Sequence, residues 1–120
     1  MKKILAAAAL MSLAATSPWA VAHHSFAMFD RTRTVTVEGS VREFQWSNPH
    51  AYIQLSADDG QEWSLEMGAP MYLYARGWRP RTLRPGQQIT ISLYPLRNGE
   101  PGGVVLDVMD ADGNEIGTNQ

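Results

Sequence analysis

The chain has 120 residues, no cysteine and a formal net charge of −2. That length allows one domain. The missing cysteines exclude disulfide staples, a thiol nucleophile and an acylated lipoprotein, and the acidic balance speaks against a nucleic-acid partner, which needs a basic field.

Met1-Lys2-Lys3 is a positive start, Ile4 to Ala15 is apolar apart from Ser12, and Ala20-Val21-Ala22 is a small-x-small site. These are the three parts of a secretory signal peptide, and the apolar run falls short of the roughly 20 residues of a membrane span. The expected organisation is a signal peptide at 1–22, an N-terminal arm at 23–34 and a folded domain at 35–116. Export places the protein in the periplasm. Cleavage after Ala22 leaves 98 residues with eight arginines, no lysine and twelve acids. A core of that size must hold without staples, which suits a compact closed barrel.

The exported chain opens His23-His24-Ser25-Phe26-Ala27-Met28-Phe29, and the two phenylalanines can pin this arm to the domain. Val35, Val37, Gly39 and Val41 then alternate with polar residues, the period of a strand with one buried face. Phe44 and Trp46 fall on the opposite parity, so a bulge or bend is expected at Gly39 and around Glu43. Asn48-Pro49 breaks the run. Ala51, Ile53 and Leu55 form a second strand, Asp58-Asp59-Gly60 a hairpin turn, and Trp63, Leu65 and Met67 a third strand.

Pro70 opens a short helix that Gly77 ends, with Trp78 folding back on it. A loop follows to Gly86. Ile89, Ile91 and Leu93 form strand four, and Val104, Leu106 and Val108 strand five. Ile116 adds a last contact, and the tail from Gly117 is expected to fray. Three strands, a helix and two strands is the order of the OB-fold, so the predicted class is all-β: a five-stranded OB-like barrel with one short helix between strands three and four. An irregular β-sandwich is the runner-up, and the two differ in whether strand one pairs with both strand two and strand four.

Several tracts resemble a family of short exported bacterial proteins of unassigned function: His23-His24-Ser25-Phe26, Val37-Glu38-Gly39-Ser40-Val41, Phe44-Gln45-Trp46-Ser47-Asn48-Pro49-His50, Gly77-Trp78, Leu83-Arg84-Pro85-Gly86 and Pro101-Gly102-Gly103. The likeness covers the mature chain and implies export and one β-rich domain. It implies no catalytic residues.

Chemistry is sought first at the new N-terminus. After cleavage His23 carries an α-amine and an imidazole, which together chelate a metal ion, and His24 and His50 can add nitrogens. Such ligands suit copper(II), at the top of the divalent affinity order. Imidazole binds metal only when deprotonated, so affinity falls on acidification toward the ordinary histidine value near 6.5. A second set, Trp63, Met67 and Met71 with Met28 and Met109, has the residue types of a soft-metal site, although a methionine on an inward strand face is ordinary core.

The alternative is an interaction module. Arg76, Trp78, Arg79 and Arg81, with Arg84, interleave charge and aromatic surface that suits an envelope protein, an anionic glycan or a lipid headgroup. Tyr52 is a further exposed aromatic candidate. No G-x-S-x-G and no H-E-x-x-H occurs, and Glu62 and Glu66 on one strand face stand roughly 13 Å apart, too far for a glycosidase pair. The expected activity is therefore binding without catalysis.

Overall fold

The structure is a computed structural model and describes residues 24–120; the expected signal peptide and His23 lie outside the described residues. The chain runs α1 (His24–Ala27), β1 (Val35–Gln45), β2 (Tyr52–Ala57), β3 (Glu62–Glu66), α2 (Pro70–Ala75), β4 (Gln88–Pro95), β5 (Gly102–Asp110) and β6 (Glu115–Thr118). Neighbouring strands follow the order β3-β2-β1-β4-β5-β6. A parallel pairing of β3 with β5, from Ser64↔Gly102 to Glu66↔Val104, closes the first five into a barrel, and β6 lies outside it on β5. This is the OB-like order, with α2 between β3 and β4.

β1 makes the closure possible. Its first half, Val35–Ser40, pairs with β4, and its second half, Gly39–Gln45, pairs with β2. That double pairing is the property that separates the barrel from the sandwich. The register slips between Val41 and Glu43, next to the position where the apolar parity changes. The extra residue, Arg42, lets Val37 and Val41 face the core and still packs Phe44 and Trp46 against it. At Gly39 the strands cross so closely that a Cβ would stand 2.3 Å from the Ser56 carbonyl oxygen.

The inward residues of the strands fill the barrel: Ile53 and Leu55 of β2, Leu65 of β3, Ile89, Ile91 and Leu93 of β4, and Val105 and Val108 of β5 are buried, whereas Val104 and Leu106, read as inward from the sequence, are half-buried. α2 starts at Pro70, whose missing N–H is no loss in the first turn. It ends where Gly77 adopts φ +90° and the Trp78 N–H donates back to the Leu73 carbonyl at 3.0 Å.

Two expectations are corrected here. Trp78, proposed as a binding aromatic, is 1% exposed. Its ring packs 5.8 Å from that of Phe44, and its Nε1 donates to the Thr118 carbonyl at 2.9 Å. A side chain of that size behind Gly77 has an apolar hollow to fill, and it fills it. The tail, expected to fray, is the sixth strand. Gly117 is what permits this, since a Cβ there would lie 2.8 Å from the Trp78 ring. Beyond β6, Asn119 accepts from the Gly68 N–H at 2.7 Å and donates to the Val105 carbonyl at 2.9 Å.

Candidate functional site

The β1–β2 corner and the N-terminal arm meet at one end of the barrel. The arm is tied down by backbone bonds. Asp30 N–H donates to the Pro95 carbonyl and Arg97 N–H to the Met28 carbonyl, each at 2.8 Å, and Phe29 bridges to Leu96. Phe29 is buried. Asp30 accepts from the Thr32 hydroxyl and N–H and from Arg33, which together hold its carboxyl below the usual range.

The corner itself is the turn around the cis Asn48–Pro49 bond. Ser47 donates to the His50 carbonyl at 2.8 Å. Directly after it, Ala51 N–H bonds to the Gly68 carbonyl and Met67 N–H to the Ala51 carbonyl. His50 is thus locked against the end of β3. Its Nδ1 lies 3.0 Å from Glu66 Oε1 and 3.0 Å from the Met67 carbonyl. The Met67 carbonyl can only accept, as Glu66 does when ionised, so Nδ1 carries the proton. In the neutral ring Nε2 then holds the lone pair, and the described residues give it no hydrogen-bond partner. A carboxylate and a carbonyl on Nδ1 fix the ring in one tautomer and one orientation.

Glu66 is 19% exposed at its side chain. Burial pushes its pKa above the ordinary value of 4.5, against the opposing pull of His50. Across the hairpin Tyr52 stands opposite Glu66. Burial first and the Glu66 charge second push the Tyr52 hydroxyl up.

A cleft of about 360 Å³ opens here, lined among others by Phe26, Arg31, His50, Glu66, Tyr94 and Asn119. Arg31 lies over the Tyr94 ring, 5.7 Å from its centroid. Of the three histidines expected to share an ion, His50 is in this cleft. His24 begins α1, but its side chain, like the whole of His23, lies outside the described residues. Phe26, two residues after His24, lines the same cleft as His50. Among the described residues no three His, Cys, Asp or Glu side chains converge as a complete ligand set.

Sequence reasoning missed Glu66 as the partner of His50. The signal was present in the hairpin. Counted outward from the Asp59-Gly60 turn, Tyr52 falls opposite Glu66, and His50 falls just beyond, beside Met67 and Gly68.

The other candidate sets disperse. Met67 is buried in the core and Met71 is 76% exposed, so these two do not face one ion. Glu62 is taken by Arg42 and Ser56, each at 2.7 Å, at the far end of β3 from Glu66. In the basic loop Arg79 is a brace: its Nη1 donates to the carbonyls of Trp78 and Tyr74 at 2.7 and 3.0 Å, and its guanidinium lies 3.6 Å from the centre of the Tyr74 ring. Arg76 reaches back to the Tyr72 carbonyl at 3.4 Å, and Arg81 is exposed. Tyr52 is half-buried.

A family model matches residues 9–106, the greater part of the chain. The chain belongs to the family of unknown function DUF6152. The matched span takes in His50, Glu66, the basic loop and all of the barrel except the end of β5; β6 lies beyond it. No curated protein and no solved structure matches the chain. Membership in DUF6152 brings no activity with it.

Proposed function

We propose that this is an exported, soluble binding protein that takes a divalent metal ion, copper(II) foremost, between its N-terminal arm and His50. The observation that supports the reading is the Nδ1–H of His50 held by Glu66 and the Met67 carbonyl, which commits the lone pair to Nε2. The arm supplies the remaining nitrogens: the α-amine and imidazole of His23 after processing, and the imidazole of His24. Phe26 in the cleft wall brings the start of the described arm to the side of the barrel where His50 lies. Glu66 acts behind the ligand. It orients the ring and offsets part of the ion's charge.

The role is delivery or storage. Every step is coordination, and the protein performs no bond-breaking chemistry. Each nitrogen must be deprotonated to bind, so affinity falls on acidification.

Isothermal calorimetry of the processed protein with Cu(II) tests this. The expected result is saturable one-to-one binding that is lost in a His23→Ala/His24→Ala/His50→Ala variant. No heat from the wild type, or equal binding by the variant, removes the metal reading.

A further inference from the structure

A second face stands apart from the cleft. Between Glu66 and Glu100 the chain contains no Asp or Glu, and α2 with the loop after it carries Arg76, Arg79, Arg81 and Arg84; Arg97, in the same stretch, is instead tied to the arm at Met28 and Ala27. Positive charge is therefore gathered on one stretch of a chain whose balance is acidic. The helix at the head of that stretch, α2, is anchored by Leu73 alone. Met71, Tyr72 and Tyr74 are 76%, 62% and 58% exposed. Arg76, Arg81 and Arg84 are exposed as well, and none makes an ion pair among the described residues. Arg79 stacks on Tyr74 and bonds its carbonyl, which fixes the loop against the helix.

We propose that α2 and the Arg76–Arg84 loop form a docking surface for an anionic phospholipid bilayer. Arginines beside exposed tyrosines and a methionine match such a surface in both of its layers. The guanidinium groups meet the phosphates. The tyrosine rings settle at headgroup depth with their hydroxyls in water, and Met71 reaches the acyl boundary. A soluble polyanion such as a glycan satisfies the arginines but gives three exposed apolar side chains nothing to enter, so charge and apolar surface together favour the bilayer. None of these residues lines the His50 cleft, and the proposal is independent of metal binding.

The test is co-sedimentation of the processed protein with vesicles of phosphatidylglycerol mixed with phosphatidylcholine, against phosphatidylcholine alone. The expected result is binding to the anionic vesicles only, weakening as salt is raised. Each basic residue near such a surface is worth about fivefold in partition, so Arg76→Gln/Arg81→Gln/Arg84→Gln is expected to lower it about a hundredfold. Met71→Ser/Tyr72→Ser is expected to lower vesicle partition and leave retention on a soluble sulfated polysaccharide unchanged. Circular dichroism establishes that the variants are folded, and the lipid and salt series on the wild type decides the matter without them. Absence of binding to anionic vesicles at low salt overturns the proposal. So does vesicle binding that the Met71/Tyr72 variant leaves intact while the arginine variant loses both vesicles and polysaccharide, since that pattern marks a polyanion site.

Discussion

Glu66 is the residue whose chemistry is most constrained. It is a carboxylate at a barrel end with burial pushing its pKa up and one imidazole pulling it down. Because the folded value is raised, the native state binds more protons than the unfolded one in the window just above 4.5. Stability contributed by this group is therefore highest at low pH and declines as pH rises through that window, then levels off. Glu66→Gln removes the titration, so its stability relative to wild type is expected to rise across the same window; urea unfolding at a series of pH values measures it. Asp30, Asp110 and Glu62 have lowered values and act in the opposite sense, losing stability on acidification. If Glu66 orients a ligating ring, Glu66→Gln also weakens Cu(II) binding by about 10- to 100-fold, as loss of such a partner ordinarily does. An unchanged affinity in the same titration would show that His50 needs no support. None of this was visible from the residue types alone. An isolated glutamate in an alternating strand reads as a solvent-facing position, and it becomes a partner only once the hairpin register is counted against His50.

Among the elements, β1 and β6 show what patterning can and cannot reveal. The period of β1 and its change of parity at Phe44 are written in the chain, and they place the bulge within a residue or two of where it occurs. β6 carries no comparable signal. It is four residues long, with Ile116 as its one large apolar side chain, and it is held by pairing with β5 and by packing on Trp78, forty residues earlier. Tertiary packing recruits it, which is why the tail reads as frayed from sequence and is paired in the fold. The same contact removes Trp78 from the surface. Trp78→Ala is expected to cost about 3–5 kcal/mol of unfolding free energy by chemical denaturation, the range for deleting a buried large aromatic. Deleting residues 115–120 should destabilise through the same hollow, and the effects of the two changes should be less than additive because they share one contact. Gly39→Val should also be costly, since the new Cβ meets the backbone of Ser56 and Ala57 at the strand crossing, where neither can give way easily. A variant with wild-type stability would mean that β1 and β2 do not approach as closely as described.

At the scale of the molecule, a small closed barrel carries the two proposed binding surfaces. One end gathers the arm, the Pro49 corner and Glu66 around a cleft, and α2 with its basic loop forms the other face. Among the described residues no helix is long and apolar enough to cross a membrane. The barrel order followed from the succession of strand, turn and helix signals, because each is local. The shared site is expected from histidine chemistry and not from any local signal, since nothing local relates residue 26 to residue 50; the parallel pairing of β3 with β5 sets Glu66 beside Val104, and so beside the Tyr94–Pro95 end of β4 where the arm is tied. Metal binding as proposed requires one ion shared between that arm and that corner. Electron paramagnetic resonance of the Cu(II)-loaded, processed protein tests it directly, since the nitrogens bound to copper split the signal. The expected spectrum reports several nitrogen ligands and loses one imidazole in His50→Ala. A spectrum identical in the two proteins would contradict the claim, for the arm would then hold its copper without the barrel.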